Sequence, residues 1–327
     1  MPRVLTIVRR RLLAAIPVLV LVTIGTFCLL EAAGGDAVDA YVGMTGGDAG
    51  LMEQLRQQWG LDQSAGNRLA AYLWSLAHLD LGWSVTFSRP ISDVIAERLP
   101  NTLLLMGCAI ALSFGLGTAL GIGAGARPGS TRDRLLSIAS LALYAVPGFW
   151  LGLVLTVIFA VQLRWLPLSG LETIASGKTG LAHAADIARH LVLPVAALGF
   201  IYLALYLRTM RSAMAEVWRL DFVLAAKARG LSPRRIVLAH VARNALLPLV
   251  TVLGLQSGAM LGGSVVIETV FSIPGLGRLA QEAVASRDTP LLLGIILVSA
   301  VLVIAINLVV DLVYAMLDPR IGSGDAE

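Results

Sequence analysis

The 327-residue chain is 57% hydrophobic and only 14% charged, with a mean hydropathy of +0.80. Soluble domains carry about 25% charged residues, so 25 basic and 21 acidic side chains cannot coat a globular surface, yet they suffice for the loops of a polytopic membrane protein. This excludes an ordinary cytosolic enzyme. The formal charge of +4 does not point to nucleic acid either, because Lys and Arg lie between apolar runs rather than on one basic face.

Crossing about 30 Å of hydrocarbon at about 1.5 Å per residue takes about 20 apolar residues. Six runs qualify: Leu12 to Leu30, Thr102 to Ala126, Leu135 to Leu163, Leu191 to Leu207, Ala245 to Ile267 and Thr289 to Val310. None contains Asp, Glu, Lys, Arg or His. The fourth is short and its helix is expected to continue past Arg208, to about 210; the sixth extends to about 312. The first follows Arg9, Arg10 and Arg11, but is too long for the apolar core of a signal peptide and is read as a retained span. Cys28 and Cys108 lie inside apolar runs and read as small hydrophobes, not as a disulfide or metal pair.

Basic residues set the orientation. The N-terminus (1–11) has Arg3, Arg9, Arg10 and Arg11, the connection after span 2 has Arg127, Arg132 and Arg134, and Arg208 to Arg243 holds eight basic residues against Glu216 and Asp221. Glu31 to Arg98 holds nine acidic and four basic residues, and the connections Arg164 to His190 and Glu268 to Asp288 carry few basic ones. Both termini, including the tail 313–327, are therefore expected inside, with an external region at 31–101 and an external loop at 268–288. Helical periodicity at Leu51 to Trp59 and Leu69 to Leu76, with turns near Gly34, Gly46 and Gly66, makes 31–101 a folded external cap.

The internal segment 211–244 has no helix breaker between Met214 and Arg229. Gly230 can close a helix in the left-handed conformation, and Ser232-Pro233 can cap and start the next. Apolar Phe222, Val223, Ala225 and Ala226 beside Lys227 and Arg229 suit either a protein groove or an anionic lipid surface.

Other motifs are weaker. Ser176-Gly177-Lys178-Thr179 ends like a phosphate loop, but Glu172 stands where the first Gly belongs. Gly117 and Gly121 have GxxxG spacing, read chiefly as close helix packing. Pro147 and Pro194 should kink or begin their helices. His78, His183 and His190 lack ligand spacing with a Cys or carboxylate cluster and read as solvent-facing or capping residues. Gln256, Ser257 and Ser264 lie near one face of span 5 and are expected to line a polar pathway. Asn307 and Asp311 suit a helix contact or a substrate contact. Pro274-Gly275-Leu276-Gly277 is expected to be a non-helical turn, either a gate or a plain surface turn.

Phe222 to Ser232, followed by His240, Arg243-Asn244-Ala245-Leu246 and Pro248, resembles the ATPase-coupling loop of ATP-binding-cassette (ABC) importer permeases, nearest to the dipeptide, oligopeptide and nickel branch. The resemblance covers nearly the whole chain. It includes Gly60-Leu61-Asp62, Asp80-Leu81-Gly82 with Ser84, Arg98-Leu99-Pro100-Asn101-Thr102, Trp165-Leu166-Pro167, Arg208-Thr209 with Arg211-Ser212, Glu268 with Phe271, Pro274-Gly275-Leu276-Gly277 and Asp318-Pro319-Arg320.

It implies an all-α integral membrane fold of six transmembrane helices, the type I ABC importer permease fold, in a bacterial inner membrane. It implies no cofactor and no catalytic residue on this chain: ATP and Mg would be bound by two ATPase subunits. A second related permease would complete the path, and an external binding protein would deliver substrate. Coupling would fall to Asp221, Phe222, Ala225, Ala226, Lys227, Arg229, Gly230, Leu231 and Ser232, and an external gate to Glu268, Phe271, Pro274, Gly275 and Gly277. The substrate expected first is a di- or oligopeptide; nickel, a metal chelate or a glutathione-like thiol is the alternative. Three departures stand out: Leu224 where the general motif has Glu, Gly34-Gly35-Asp36-Ala37 without flanking prolines, and Arg164 in place of the usual Gly before Trp165. A secondary transporter is disfavoured by spans without ionisable groups, and a membrane-embedded enzyme by the lack of any HExxH, GxSxG or paired-Asp motif.

Overall fold

A computed structural model describes residues 2–34, 38, 42, 49–58 and 62–317. Positions 35–37, 46, 60–61 and 318–320 of the motifs above lie outside them. In chain order the elements are α1 (Pro2–Ala33), α2 (Ala49–Gln58), α3 (Ala65–Ala77), β1 (Trp83–Ser84), β2 (Arg89–Pro90), α4 (Ile91–Gly125), α5 (Thr131–Ala145) and α6 (Gly148–Leu155), the last continued by a π-helical segment, Thr156–Gln162. There follow α7 (Gly180–Val217), α8 (Asp221–Ala228), α9 (Pro233–Arg235) with a π-helical segment Ile236–Ala242, α10 (Arg243–Val270), α11 (Leu276–Ala285) and α12 (Thr289–Leu317).

Among the described residues five helices are long and apolar enough to cross a membrane: Val8–Ala33, Ile91–Gly125, Gly180–Val217, Pro233–Val270 and Thr289–Met316. The third expected span is a bent pair, Thr131–Ala145 and Gly148–Gln162, turned by 99°. The break is proline chemistry. Pro147 pushes the preceding residue out of the helical region, and Val146 accordingly has ψ 126°. Pro194 neither begins nor ends a helix; it lies fourteen residues inside α7, which starts at Gly180. Gly66 likewise sits in the first turn of α3, which Ser64 caps by accepting a hydrogen bond from the Asn67 backbone N–H.

The chain divides into two compact units. The first comprises Met1–Ile7, Leu103–Ile273 and Ala305–Glu327. Its core has two clusters, one around Leu105, Leu198, Met260 and Phe271, the other around Tyr206, Met210, Val223, Ile236 and Leu249. Helices α4 and α7 approach closely because a stripe of glycines removes the side chains between them. A Cβ on Gly117 would stand 2.8 Å from the Leu203 carbonyl oxygen, one on Gly121 2.6 Å from Met210 Cβ, and one on Gly125 2.8 Å from Met214 Cβ.

The second unit comprises Val8–Thr102 and Pro274–Ile304, with a core of Ile91, Val94, Ile95, Leu276, Leu279, Leu291 and Ile295. Arg68 donates to both oxygens of Glu31, tying α3 to the end of α1. Strands β1 and β2 form a short antiparallel hairpin, Trp83 opposite Pro90 and Ser84 opposite Arg89.

Candidate functional site

The 211–244 segment contains a short helix with one face packed and one face exposed. Helix α7 ends at Val217, and Leu220, in extended conformation, turns the chain into α8. The sequence gives no sign of this interruption, which falls inside the breaker-free stretch Met214 to Arg229. In α8, Val223 and Ala226, three apart, are buried in the second cluster, whereas Asp221, Phe222, Leu224, Ala225, Lys227 and Arg229 face outward. Leu224, the departure from the general motif, is 69% exposed.

The end of α8 is a Schellman motif: the Gly230 N–H donates to Lys227 O (2.9 Å) and the Leu231 N–H to Ala226 O (3.3 Å). Gly230 has φ +72°, as its position required, and a Cβ there would meet no atom within 4 Å. Leu231 packs against the same cluster as Ala226, supplying the apolar contact that accompanies this motif. Ser232 is the backbone cap and Pro233 the first helical residue, but the Ser232 side chain makes no capping hydrogen bond.

Two residues that sequence reasoning did not assign support this element. Asp133, 2% exposed at the start of α5, accepts from Arg211 Nε (2.8 Å) and Nη2 (3.0 Å) and from the Gly129 N–H (2.9 Å). Trp218, at the end of α7, donates its indole N–H to Gly125 O (2.8 Å). Both partners lie 78 to 93 residues away in sequence, so no local pattern reveals them.

The three residues of the expected pathway stripe differ in exposure within this chain. Ser257 and Ser264 are each 1% exposed, and their hydroxyls donate to Leu253 O (2.7 Å) and Leu261 O (2.8 Å) of their own helix. Gln256 is half-buried. A hydroxyl that bonds its own backbone relieves the cost of polar burial in a packed helix, so these serines sit in the core of the chain and present no polar face. The outward face of α10 carries Leu255 and Val266 instead. Asn307 stands beside Gly254, its Oδ1 3.3 Å from where a Cβ would lie.

The residues expected to form a gate fall in two settings. In the first unit Glu268 is fully buried near the end of α10, and Phe271, 2% exposed, packs against Gly152 while its carbonyl accepts from the Gly170 N–H (2.8 Å). In the second unit Pro274 and Gly275 form a turn, but Leu276 and Gly277 already belong to α11, with Gly275 as its cap. Thus only the first half of the expected Pro274 to Gly277 turn is non-helical. Asn101 Nδ2 donates to Pro274 O (2.7 Å), and the Leu276 N–H donates to Thr102 Oγ1 (2.8 Å). Ser84 and Asp288 complete the arrangement: the Ser84 hydroxyl (2.6 Å) and the Thr86 N–H (2.9 Å) both donate to Asp288 Oδ2, whose other oxygen accepts from the Leu291 N–H (3.1 Å).

Of the histidines expected outside, His190 is buried with Nδ1 on Asp186 O (2.8 Å), a correction to the solvent-facing expectation, and His183 is paired with Glu172. Lys178 is engaged by Asp186. Among the described residues no three His, Cys, Asp or Glu side chains converge as metal ligands.

Residues 117–323 match the family of binding-protein-dependent transport system inner membrane components. The chain belongs to that family. The permease is 38% identical over 97% of its length to the di/tripeptide transport system permease protein DppB of Pseudomonas aeruginosa (strain UCBPP-PA14), covering 98% of it. It is 36% identical over 95% of its length to the oligopeptide transport system permease protein AppB of Bacillus subtilis (strain 168), again covering 98%. Its fold is that of an ABC importer permease: the inward-facing MetNI methionine ABC transporter superposes with a TM-score of 0.56 at 17% identity, over 69% of this chain and 97% of the other. It is thus a multi-pass inner-membrane transport component that works with ATPase and binding-protein partners.

Proposed function

We propose that the permease forms half of the translocation path of an ATP-driven importer for dipeptides or oligopeptides. A second related permease supplies the other half. Two ATPase subunits, which bind ATP and Mg, clamp the cytoplasmic side, one of them docking on the outward face of α8, and an external binding protein delivers substrate to the side bearing α3 and the β1–β2 hairpin. Both termini are cytoplasmic, as the arginine-rich first residues and internal loop require. The observation that carries this reading is α8 itself: Val223 and Ala226 fix its inner face while Phe222, Leu224 and Ala225, flanked by Lys227 and Arg229, stay open. Apolar side chains ringed by cations suit a groove in a protein partner better than water. The peptide assignment follows the names of the relatives.

Co-expression with the neighbouring transport genes, mild detergent extraction and subunit counting should recover one copy of this chain, one related permease and two ATPase domains. A lone active homodimer would overturn the composition. Peptide uptake by that complex in liposomes, with nickel as the competing substrate, tests the cargo. Cysteine introduced at Ser64 should react from outside intact cells, and at Ser232 only after permeabilisation.

A further inference from the structure

We infer that Trp218 is a positioning residue that makes α8 and the α4–α7 pair move as one body, an inference that rests on the docking role proposed for α8. After Val217 the chain leaves the helix for three residues, and a bare three-residue link would act as a hinge. Trp218 spans that link with three contacts. Its indole N–H donates to Gly125 O at 2.8 Å, and Gly125 is the last residue of α4. The last four carbonyls of any helix have no partner within the helix; here the indole supplies one from outside. Its ring face takes the Lys227 ammonium, Nζ lying 5.2 Å from the ring centroid, and Lys227 is in the last turn of α8. The ring itself packs against the buried cluster to which Val223 and Ala226 of α8 belong.

One half-buried side chain therefore touches the end of α4, the end of α7 and the end of α8. The α4–α7 partnership is itself close, since Gly117, Gly121 and Gly125 let the two backbones meet. Force delivered to α8 by a docked ATPase then reaches α4 directly through a hydrogen bond, without first bending the 218–220 link. This also orients Lys227. With its ammonium over Trp218, it acts as a strut inside the element as well as a cation on its surface.

The test uses the assembled importer. Replacing Trp218 with the isosteric amino acid 3-benzothienylalanine removes only the N–H, and Trp218→Phe keeps an aromatic face under Lys227. Both should assemble, and peptide taken up per ATP hydrolysed should fall roughly three- to tenfold, the factor for one lost hydrogen bond acting on a conformational step. Lys227→Met should give a smaller fall, with the indole bond intact. A purely structural Trp218 would instead lower the amount of complex and leave the ratio per complex unchanged, and that result overturns the inference. Full loss in Lys227→Met with a normal ratio in the benzothienyl variant would overturn it as well. Leu224→Asp separates the two levels: it should release the ATPase subunit docked on this chain if α8 is the docking face, and full retention of both ATPase subunits in that variant refutes the docking role whatever Trp218 does.

Discussion

Two short non-membrane parts of this permease are held to long helices by opposite means. On the side of α8, the apolar anchor and the helix closure are local, with Val223 and Ala226 three residues apart and the Schellman bonds spanning three and five residues, and the Trp218 to Gly125 hydrogen bond adds one distant polar tie. On the side of the β1–β2 hairpin and the Pro274 turn, the fixing contacts are polar, buried and distant. Ser84 meets Asp288 across 204 residues, Asn101 meets Pro274 across 173, and Thr102 meets Leu276 across 174. An apolar anchor tolerates small shifts, because dispersion is non-directional. A buried carboxylate with three donors tolerates very little, since each donor left behind carries its desolvation cost. The hairpin side is held by directional contacts, and α8 mainly by packing, which suits the coupling role proposed for it.

The largest effect should come from Asp288→Ala. It strands the buried Ser84 hydroxyl and Leu291 N–H, at about 1–3 kcal/mol for each, and leaves the N–H of exposed Thr86 to water. The purified chain should unfold at markedly lower temperature, and limited proteolysis should cut within 83–90. An unchanged hairpin would mean that apolar packing, as on the α8 side, holds it.

Next come two glycines that separate packing from backbone conformation. Gly121→Ala places a Cβ 2.6 Å from Met210 Cβ and 2.8 Å from the Leu207 backbone oxygen, so α4 and α7 must part, at about 1–3 kcal/mol. Thermal unfolding in detergent should record that loss. Gly230→Val meets open space and suffers only for its positive φ, about 1 kcal/mol or more. It should assemble at near-normal level with α8 tilted, so that substrate-loaded binding protein no longer stimulates ATP hydrolysis and uptake falls steeply. Normal coupling at reduced expression would make Gly230 a folding residue only.

The smallest expected effect is a gain. Arg164, where the family usually has Gly, has φ +54°, a conformation that a side chain makes unfavourable. Arg164→Gly should raise stability by up to about 1 kcal/mol in the folded state, offset in part by a more flexible unfolded chain. A small rise or no change in melting temperature fits this balance. A clear fall would show that the arginine side chain itself holds the Trp165 loop.

The sequence by itself determined the features whose causes are local. Apolar length marks the spans, because each must match the thickness of hydrocarbon, and Pro147 marks the 99° break, because its ring excludes a helical Val146. Gly230 marks the end of α8, because a helix closed in this way needs a residue at ease with positive φ. Resemblance supplied the family, and named Asn101, Thr102 and Ser84 without giving their reason. Tertiary structure alone decided what depends on a distant partner. Ser257 and Ser264 turned inward, because a serine that bonds its own backbone reads the same in sequence as one that faces a water-filled path. The interruption at 218–220 lies in a breaker-free stretch of helix and carries no local signal; it coincides with the indole bond from Trp218 to Gly125, a partner 93 residues away that periodicity, charge and glycine spacing do not encode.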